Sequence, residues 1–145
     1  MHCNGYSFPF VILGGERPAV DVVAELYKER FTGEFRIMKT DAKTAELVKY
    51  GENAFLATKV TFFNEFFRIA EAFGVDVDEF RELLLLDPRI GRSHSFAYRA
   101  HPFYASKCLD KDVPGIIEAT LAAGYGSPFL RAVRDVNDTW RREAS

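Results

Sequence analysis

Residues 41–74 read DAKTAELVKYGENAFLATKVTFFNEFFRIAEAFG and hold the strongest pattern in this sequence. Asp41 is a good helix N-cap and Gly74 a typical C-terminal signal, so the stretch predicts one helix from Asp41 to about Phe73. Such a helix is nearly three times the usual length of ~11–12 residues. After Ala54 its apolar residues fall on almost every side, which is typical of a helix inside a core. We therefore predict a mainly α-helical fold built on this long spine helix.

The spine helix also predicts self-association. The chain contains 14 phenylalanines, and four of them cluster on the spine helix as Phe62, Phe63, Phe66 and Phe67. This apolar belt is wider than a small monomer can cover, and exposed apolar belts mark interaction surfaces. We expect a homodimer in which the long helices of two copies pack through these four side chains.

Residues 1–40 have a different pattern. Residues 1–9 are an irregular lead-in, and Phe10–Leu13 is a short apolar run that ends at Gly14 and Gly15, as a buried strand does. A helix is predicted from Pro18 to about Arg30, with Gly33 just beyond its end, and a second strand over Glu34–Met38. Its expected apolar stripe is Ala19, Val22, Val23 and Leu26. This is a βαβ unit of a parallel sheet with both strands buried.

Three more helices are predicted after the spine. The first begins at Asp76 and runs to about Leu86, where Asp87-Pro88 ends it. Residues 87–111 form a long polar and aromatic loop. Asp112 then caps a helix that runs to about Ala123, and Ser127-Pro128 begins a last helix that ends near Glu143.

Length and composition exclude several classes of protein. With 145 residues, 48% of them hydrophobic and 28% charged, the chain is a folded domain too short for a complete two-domain enzyme. A net charge of -2 excludes the broad basic surface of a nucleic-acid binder. No apolar run approaches the ~20 residues that cross a bilayer, and the N-terminus lacks the pattern of a signal peptide. Two cysteines build no disulfide framework, so we expect a reducing, cytoplasmic location.

Six polar residues are candidates for chemistry. Lys49 and Asn53 are four residues apart and share a helix face. Cys108 precedes a predicted helix and Lys111 follows three residues later; a helix N-terminus and a nearby cation both favour the nucleophilic thiolate. Asp112 is placed to position a water or accept a proton.

Arg89, at the start of the long loop, is a candidate for binding a phosphate group, because a guanidinium matches phosphate geometry. Each candidate has a plainer alternative that spacing alone leaves open. Cys108 can be a small buried side chain, Asp112 only an N-cap, and Arg89 an ordinary surface residue. Lys49 and Asn53 can form a solvated stripe. No metal site is predicted.

Seven stretches resemble the UDP-glucose/GDP-mannose dehydrogenase family. They occur in the family's order and are distributed from residue 11 to residue 137. They are VILGG at 11–15, TAELVKYGENAFLATK at 44–59, NE at 64–65, GVDVDE at 74–79, LDPRIG at 86–91, CLDKDV at 108–113 and AVRDVN at 132–137. The resemblance implies that residues 1–40 are the βαβ end of an NAD-binding domain and that residues 41–145 are the helical central, dimerisation domain.

The resemblance also implies an activity, the oxidation of a sugar C6 alcohol to a carboxylate with two NAD. Cys108 would attack the C6 aldehyde to give a thiohemiacetal that is oxidised to a thioester. Lys49 and Asn53 would stabilise the oxyanion, and Asp112 would help to deprotonate the alcohol or the hydrolytic water. Arg89 would reach the nucleotide sugar bound by the dimer partner, and Lys111 would contact the cofactor. The Arg89-Ile90-Gly91 sequence is most similar to family members that use UDP-glucose.

Two departures from the family leave a second function open. The sequence has no GxGxxG, so the chain is either a fragment of the enzyme or one half of a split enzyme that a separate NAD-binding chain completes, and the isolated chain is predicted to be inactive. Residues 101–107, HPFYASK, contain no glycine where the family has a glycine-rich turn before the cysteine. The alternative is therefore a dimerisation or scaffold module of the same ancestry that has lost catalysis.

Overall fold

The structure is a computed structural model that describes residues 10–31, 35–96 and 101–145. In chain order its elements are β1 (Phe10–Gly14), α1 (Arg17–Arg30), β2 (Arg36–Thr40), α2 (Ala42–Ala72), α3 (Val77–Leu84), α4 (Lys107–Ala122) and α5 (Pro128–Glu143). The mainly α-helical fold with a small N-terminal βαβ is confirmed. The predictions for residues 1–9, Cys3 among them, and for Gly33 and Glu34 lie outside the described residues.

Contacts along the chain define two compact units. The N-terminal unit is residues 1–49 and the C-terminal unit residues 50–145, so the boundary falls inside α2. The division into domains at residues 40 and 41 stays a prediction. Within the described residues, no helix is long and apolar enough to cross a membrane.

The N-terminal unit is a two-stranded parallel sheet with one helix. β1 pairs with β2 from Phe10 opposite Arg36 to Gly14 opposite Thr40. A Cβ at Gly14 would lie 2.4 Å from Cβ of Ala45, so only glycine allows the start of α2 to pack this closely.

Two predictions for the N-terminal unit are wrong. The strands are half-exposed rather than buried. In α1 the buried residues are Val20 and Ala24, one helical turn apart, whereas Val22 and Leu26 of the predicted stripe are 65% and 59% exposed. A single helix on two strands covers one face of the sheet only, so most apolar residues of this pattern stay uncovered. β2 also extends to Thr40, two residues beyond the predicted end at Met38.

The ends of α2 are as the sequence predicts. The Asp41 carboxylate accepts hydrogen bonds from the backbone N–H of Thr44 at 2.9 Å and from its hydroxyl at 2.7 Å. At the other end Gly74 adopts φ +68°, and the N–H of Val75 donates to the carbonyl of Ala70 at 2.8 Å. This is the left-handed cap that glycine adopts readily.

The C-terminal unit contains two apolar cores, and α2 contributes to both. One consists of Ala57, Tyr104, Leu109, Val113, Ile117 and Val133, and the other of Phe63, Phe67 and Leu85. Phe63 and Phe67 are thus buried against their own chain, so the prediction that they pack against a second copy is wrong. Phe55 and Phe62 are 65% and 45% exposed, so α2 is not covered on every side as predicted.

The later helices differ from prediction mainly at their starts and ends. The Asp76 carboxylate accepts from the N–H groups of Asp78 and Glu79 and begins α3, which ends two residues before the predicted Leu86. α5 spans the predicted residues. α4 begins six residues earlier than predicted, because Ser106, not Asp112, is its N-cap.

Asp112 is therefore in the interior of α4, and Pro114 lies further inside the same helix. An aspartate two residues before a proline resembles a helix start, which explains the wrong prediction. Burial of Leu109 and Val113 in the first core favours the earlier start. The loop predicted over residues 87–111 is correspondingly shorter.

Candidate functional site

The buried carboxylate of Asp112 organises the candidate site. Its side chain is 2% exposed. The Asn53 side-chain amide on α2 donates to its Oδ2 at 2.6 Å, and Nζ of Lys111 lies 2.7 Å from its Oδ1. A buried carboxylate is stable only when polar partners replace its water, and both of these partners are predicted site residues. The structure therefore brings together Asn53, Lys111 and Asp112.

Cys108 lies one helical turn before Asp112. It is an exposed free thiol in the first turn of α4, where backbone N–H groups favour negative charge. Asp112 raises the pKa of Lys111, with smaller contributions from Tyr50 and Cys108. Lys111 is thus a cation paired with the Asp112 carboxylate and three residues after the thiol. Cys108, predicted to lie just ahead of its helix, is instead the second residue of α4, and the thiol is still at a helix N-terminus.

Lys49 is exposed on α2, one turn before Asn53 and at the end of the N-terminal unit. The position on one helix with Asn53 is as predicted. Its role as an oxyanion donor stays a prediction.

Arg89 lies in the turn after α3 and its side chain is 87% exposed. The guanidinium donates to Asp87 through Nε at 3.0 Å and through Nη2 at 2.5 Å. This contact raises the pKa of Arg89 and lowers that of Asp87. Arg89 is thus exposed to solvent, and its ion pair with Asp87 fixes the direction of its guanidinium.

Lys59 holds the same turn from α2, a role that sequence reasoning missed. Its Nζ donates to the carbonyl oxygens of Ile90 at 2.9 Å and Gly91 at 2.6 Å. Burial lowers the pKa of Lys59. The available signal was a lysine in a mostly apolar stretch of helix, which requires a polar partner when half-buried.

The segment before Cys108 needs no glycine. Positive φ angles occur at His94 and Ser127 and at several glycines, but at no residue of the described segment 101–107. The backbone of Tyr104 is instead held by Asn137 and Arg141 of α5. Sequence reasoning assigned no role to either residue, although AVRDVN, which ends at Asn137, was among the family-like stretches.

The described residues form neither a metal site nor a cradle for a dinucleotide. They contain no group of three or more His, Cys, Asp or Glu placed to hold a metal ion. The glycine turn after β1 is filled by its own chain, since a Cβ at Gly15 would lie 3.2 Å from Val20 and one at Gly14 would meet Ala45. Lys111 alone, with a 65% exposed side chain, makes no dinucleotide cradle. The residues present therefore do not fit NAD by themselves.

Comparison with known proteins identifies several relatives. Residues 43–139 match the UDP-glucose/GDP-mannose dehydrogenase family, central domain. The chain is 37% identical over 132 residues to UDP-glucose 6-dehydrogenase AglM of Haloferax volcanii, covering 88% of this chain and 30% of that protein. It is 35% identical over 105 residues to UDP-glucose 6-dehydrogenase TuaD of Bacillus subtilis, covering 72% of this chain and 22% of that protein.

A solved structure has the same fold. A UDP-glucose dehydrogenase from the hyperthermophilic archaeon Pyrobaculum islandicum superposes with a TM-score of 0.79 at 30% identity, covering 90% of this chain and 29% of that one. The chain thus spans less than a third of the length of each of these relatives.

Proposed function

Since this chain belongs to the UDP-glucose/GDP-mannose dehydrogenase family and is a nucleotide-sugar dehydrogenase central domain, we propose that it serves the oxidation of UDP-glucose at C6 to the carboxylate. The observation that carries the proposal is the buried Asp112 carboxylate, which holds Asn53 and Lys111 one helical turn from the exposed thiol of Cys108. A scaffold has no need for a buried carboxylate beside an exposed thiol.

In the proposed mechanism the thiolate of Cys108 attacks the C6 aldehyde carbon. A bond forms between Sγ and C6, the carbonyl electron pair moves to oxygen, and protonation of that oxygen gives a thiohemiacetal. Asn53 has a second amide hydrogen besides the one given to Asp112, and with Lys49 it would donate to the oxyanion.

Asp112 has two tasks in this proposal. Because its carboxylate is nearly fully buried, it first orients Asn53 and Lys111. Asp112 would also accept a proton from the water that hydrolyses the thioester, and this step releases the carboxylate product and the thiol. Arg89 would bind the nucleotide sugar of the dimer partner, and Lys111 the cofactor.

NAD, as the hydride acceptor of the family, would supply the two oxidations. Because the described residues do not form its site, we expect the purified chain to reduce no NAD with UDP-glucose. An NAD-binding domain, either in the same longer chain or in a separate chain, would complete it, in the cytoplasm. Spectrophotometric detection of NADH formation by the 145-residue chain alone would refute this expectation.

Thiol reactivity tests the site without turnover. We expect iodoacetamide to alkylate Cys108 faster than Cys3 at neutral pH, since Cys108 is exposed in the first turn of α4 and Lys111 follows three residues later. Lys49→Ala should slow the reaction, whereas Lys43→Ala, an exposed lysine near the start of the same helix, should not. Equal labelling of the two cysteines, unaffected by Lys49→Ala, would favour the scaffold alternative.

We also propose a homodimer through α2, with a corrected contact surface. Phe55, Phe62 and Ile69 are exposed and seven residues apart, which places them on one helix face as in a helix–helix interface. Phe62→Glu should lower the mass measured by light scattering from dimer to monomer, and Leu83→Glu on α3 should leave it unchanged. A monomer mass for the wild-type protein at micromolar concentration would refute the dimer.

A further inference from the structure

α5 holds the chain on both sides of Cys108. Before the cysteine, the buried amide of Asn137 accepts the N–H of Tyr104 at 2.8 Å, and Nη2 of Arg141 donates to the Tyr104 carbonyl at 2.8 Å. After the cysteine, the same Nη2 lies 2.5 Å from Oδ1 of Asp110 in the first turn of α4. One guanidinium therefore spans residues 104 and 110.

These contacts lie in a protected environment. Asn137 is 1% and Tyr104 5% exposed, so their hydrogen bonds are shielded from competing water. The Arg141 guanidinium also lies over the ring of Phe103, 5.4 Å from its centroid. The Arg141 guanidinium thus contacts Tyr104 and Asp110 through one nitrogen and Phe103 through its planar face; a lysine ammonium can reproduce the first two contacts but not the third.

The contacts have two consequences for the thiol. They fix the backbone that leads into Ser106, whose hydroxyl caps α4 by accepting the N–H of Leu109 at 3.2 Å. They also pair the Asp110 carboxylate with a cation, and an unpaired carboxylate two residues from Cys108 would oppose the thiolate. A glycine-rich turn is replaced here by contacts with another helix.

We propose that Asn137 and Arg141 are positioning residues that hold Cys108 for reaction by fastening the chain before and after it to α5. The inference rests on the proposed function, because it presumes that the thiol of Cys108 reacts. It adds a group of residues on the last helix that the reaction requires without their touching substrate.

The test is the rate of Cys108 alkylation by iodoacetamide in the folded protein at neutral pH. Arg141→Ala should slow it about 3- to 10-fold, in line with the sensitivity of thiolate reactivity to its surroundings. Arg142→Ala is the matched control, because Arg142 is the next residue of α5 and its guanidinium contacts Thr139 of the same helix. Arg141→Lys should recover part of the rate.

A double variant separates position from charge. In Asp110→Asn/Arg141→Ala the carboxylate is removed together with its partner, so full recovery of the wild-type rate would mean that charge alone matters and would overturn the positioning role. A rate that stays low supports it. Urea denaturation of each variant shows the conditions under which it is folded, and alkylation is measured under those conditions. A variant that loses stability but keeps the wild-type alkylation rate would show a purely structural role and overturn the proposal.

Hydrogen exchange in the wild-type protein tests the same contacts without any substitution. The amides of Tyr104 and Leu109 should exchange as slowly as those of the α5 interior, and exchange at the rate of an open loop would overturn the proposal. The proposed function fails separately, if wild-type Cys108 is alkylated no faster than Cys3. Fast alkylation that Arg141→Ala leaves unchanged would keep the proposed function and reject the positioning role.

Discussion

The N-terminal and C-terminal units have similarly apolar sequences but differ in how much of that surface is covered. In the N-terminal unit Val20 and Ala24 are buried, whereas Val22, Leu26 and Met38 are each more than half exposed. In the C-terminal unit α2 contributes phenylalanines and alanines to two closed cores. The N-terminal unit thus has apolar residues typical of a buried element, but many of them are exposed to solvent.

The difference follows from the number of layers in each unit. Two parallel strands and one helix form a single covered face, and parallel sheets are normally covered on both. Several helices packed on one another bury side chains from each partner. We therefore expect stability to depend mainly on the C-terminal unit, and the following substitutions test that comparison.

The largest expected effect is at Phe63, which is 1% exposed in the second core. Phe63→Ala should lower the free energy of unfolding by about 3–5 kcal/mol, because it removes buried apolar surface and leaves a cavity. The neighbouring Phe62→Ala, at a 45% exposed position, should cost much less. Urea denaturation measures both, and equal losses would contradict the orientation of α2.

The next effect is a pH dependence at Tyr104 in the first core. Burial, with smaller contributions from Asp138 and Asp110, raises the pKa of Tyr104 from 10.0 to about 12. The folded state thus holds the phenol proton where the unfolded state loses it. The raised pKa therefore adds about 2–3 kcal/mol to the free energy of unfolding. This stabilisation is complete below about pH 10 and is lost as the pH rises to about 12.

Tyr104→Phe should remove this alkaline loss, as measured by unfolding at several pH values between 9 and 12. Tyr125→Phe is the control, since Tyr125 is 63% exposed and should unfold with the wild-type pH profile. An identical alkaline loss in Tyr104→Phe and wild type would show that Tyr104 is not the group responsible.

A smaller effect is expected at Gly14, a crowded position of the N-terminal unit. Gly14→Ala places a methyl 2.4 Å from Cβ of Ala45 and 3.0 Å from the Asp41 carbonyl. Such overpacking should lower the free energy of unfolding by about 1–3 kcal/mol. Gly51→Ala is the control, because nothing lies within 4 Å of a Cβ there. If thermal unfolding shows no difference between the two variants, α2 does not pack against β1 in this way.

The smallest effect is expected on the outer face of α1. Leu26→Gln, at a 59% exposed position, should change the free energy of unfolding by less than about 0.5 kcal/mol. Ala24→Gln on the inner face, with 0% exposure, should be strongly destabilising. A large loss for Leu26→Gln would mean that a partner covers this face in solution, and the contrast between the two units would no longer hold.

The sequence alone determined the features that depend on a few neighbouring residues. The caps at Asp41, Gly74 and Asp76 each act through hydrogen bonds to groups within four residues, so the bounds of α2 and the start of α3 follow from local chemistry. The family also follows from the sequence, because its motifs keep their residues and order.

Only the tertiary structure decided which faces point inward and which residues meet. A helix that is apolar all round has no preferred side, so the burial of Phe63 rather than Phe62 depends on the helices packed against it. Ser106 and Asp112 are both competent caps, and burial of the segment between them favours the earlier one. The bond from Asn53 to Asp112 and the contacts of α5 with Tyr104 join residues far apart in the chain. No local pattern encodes such pairs, because their energies arise only when distant segments pack together.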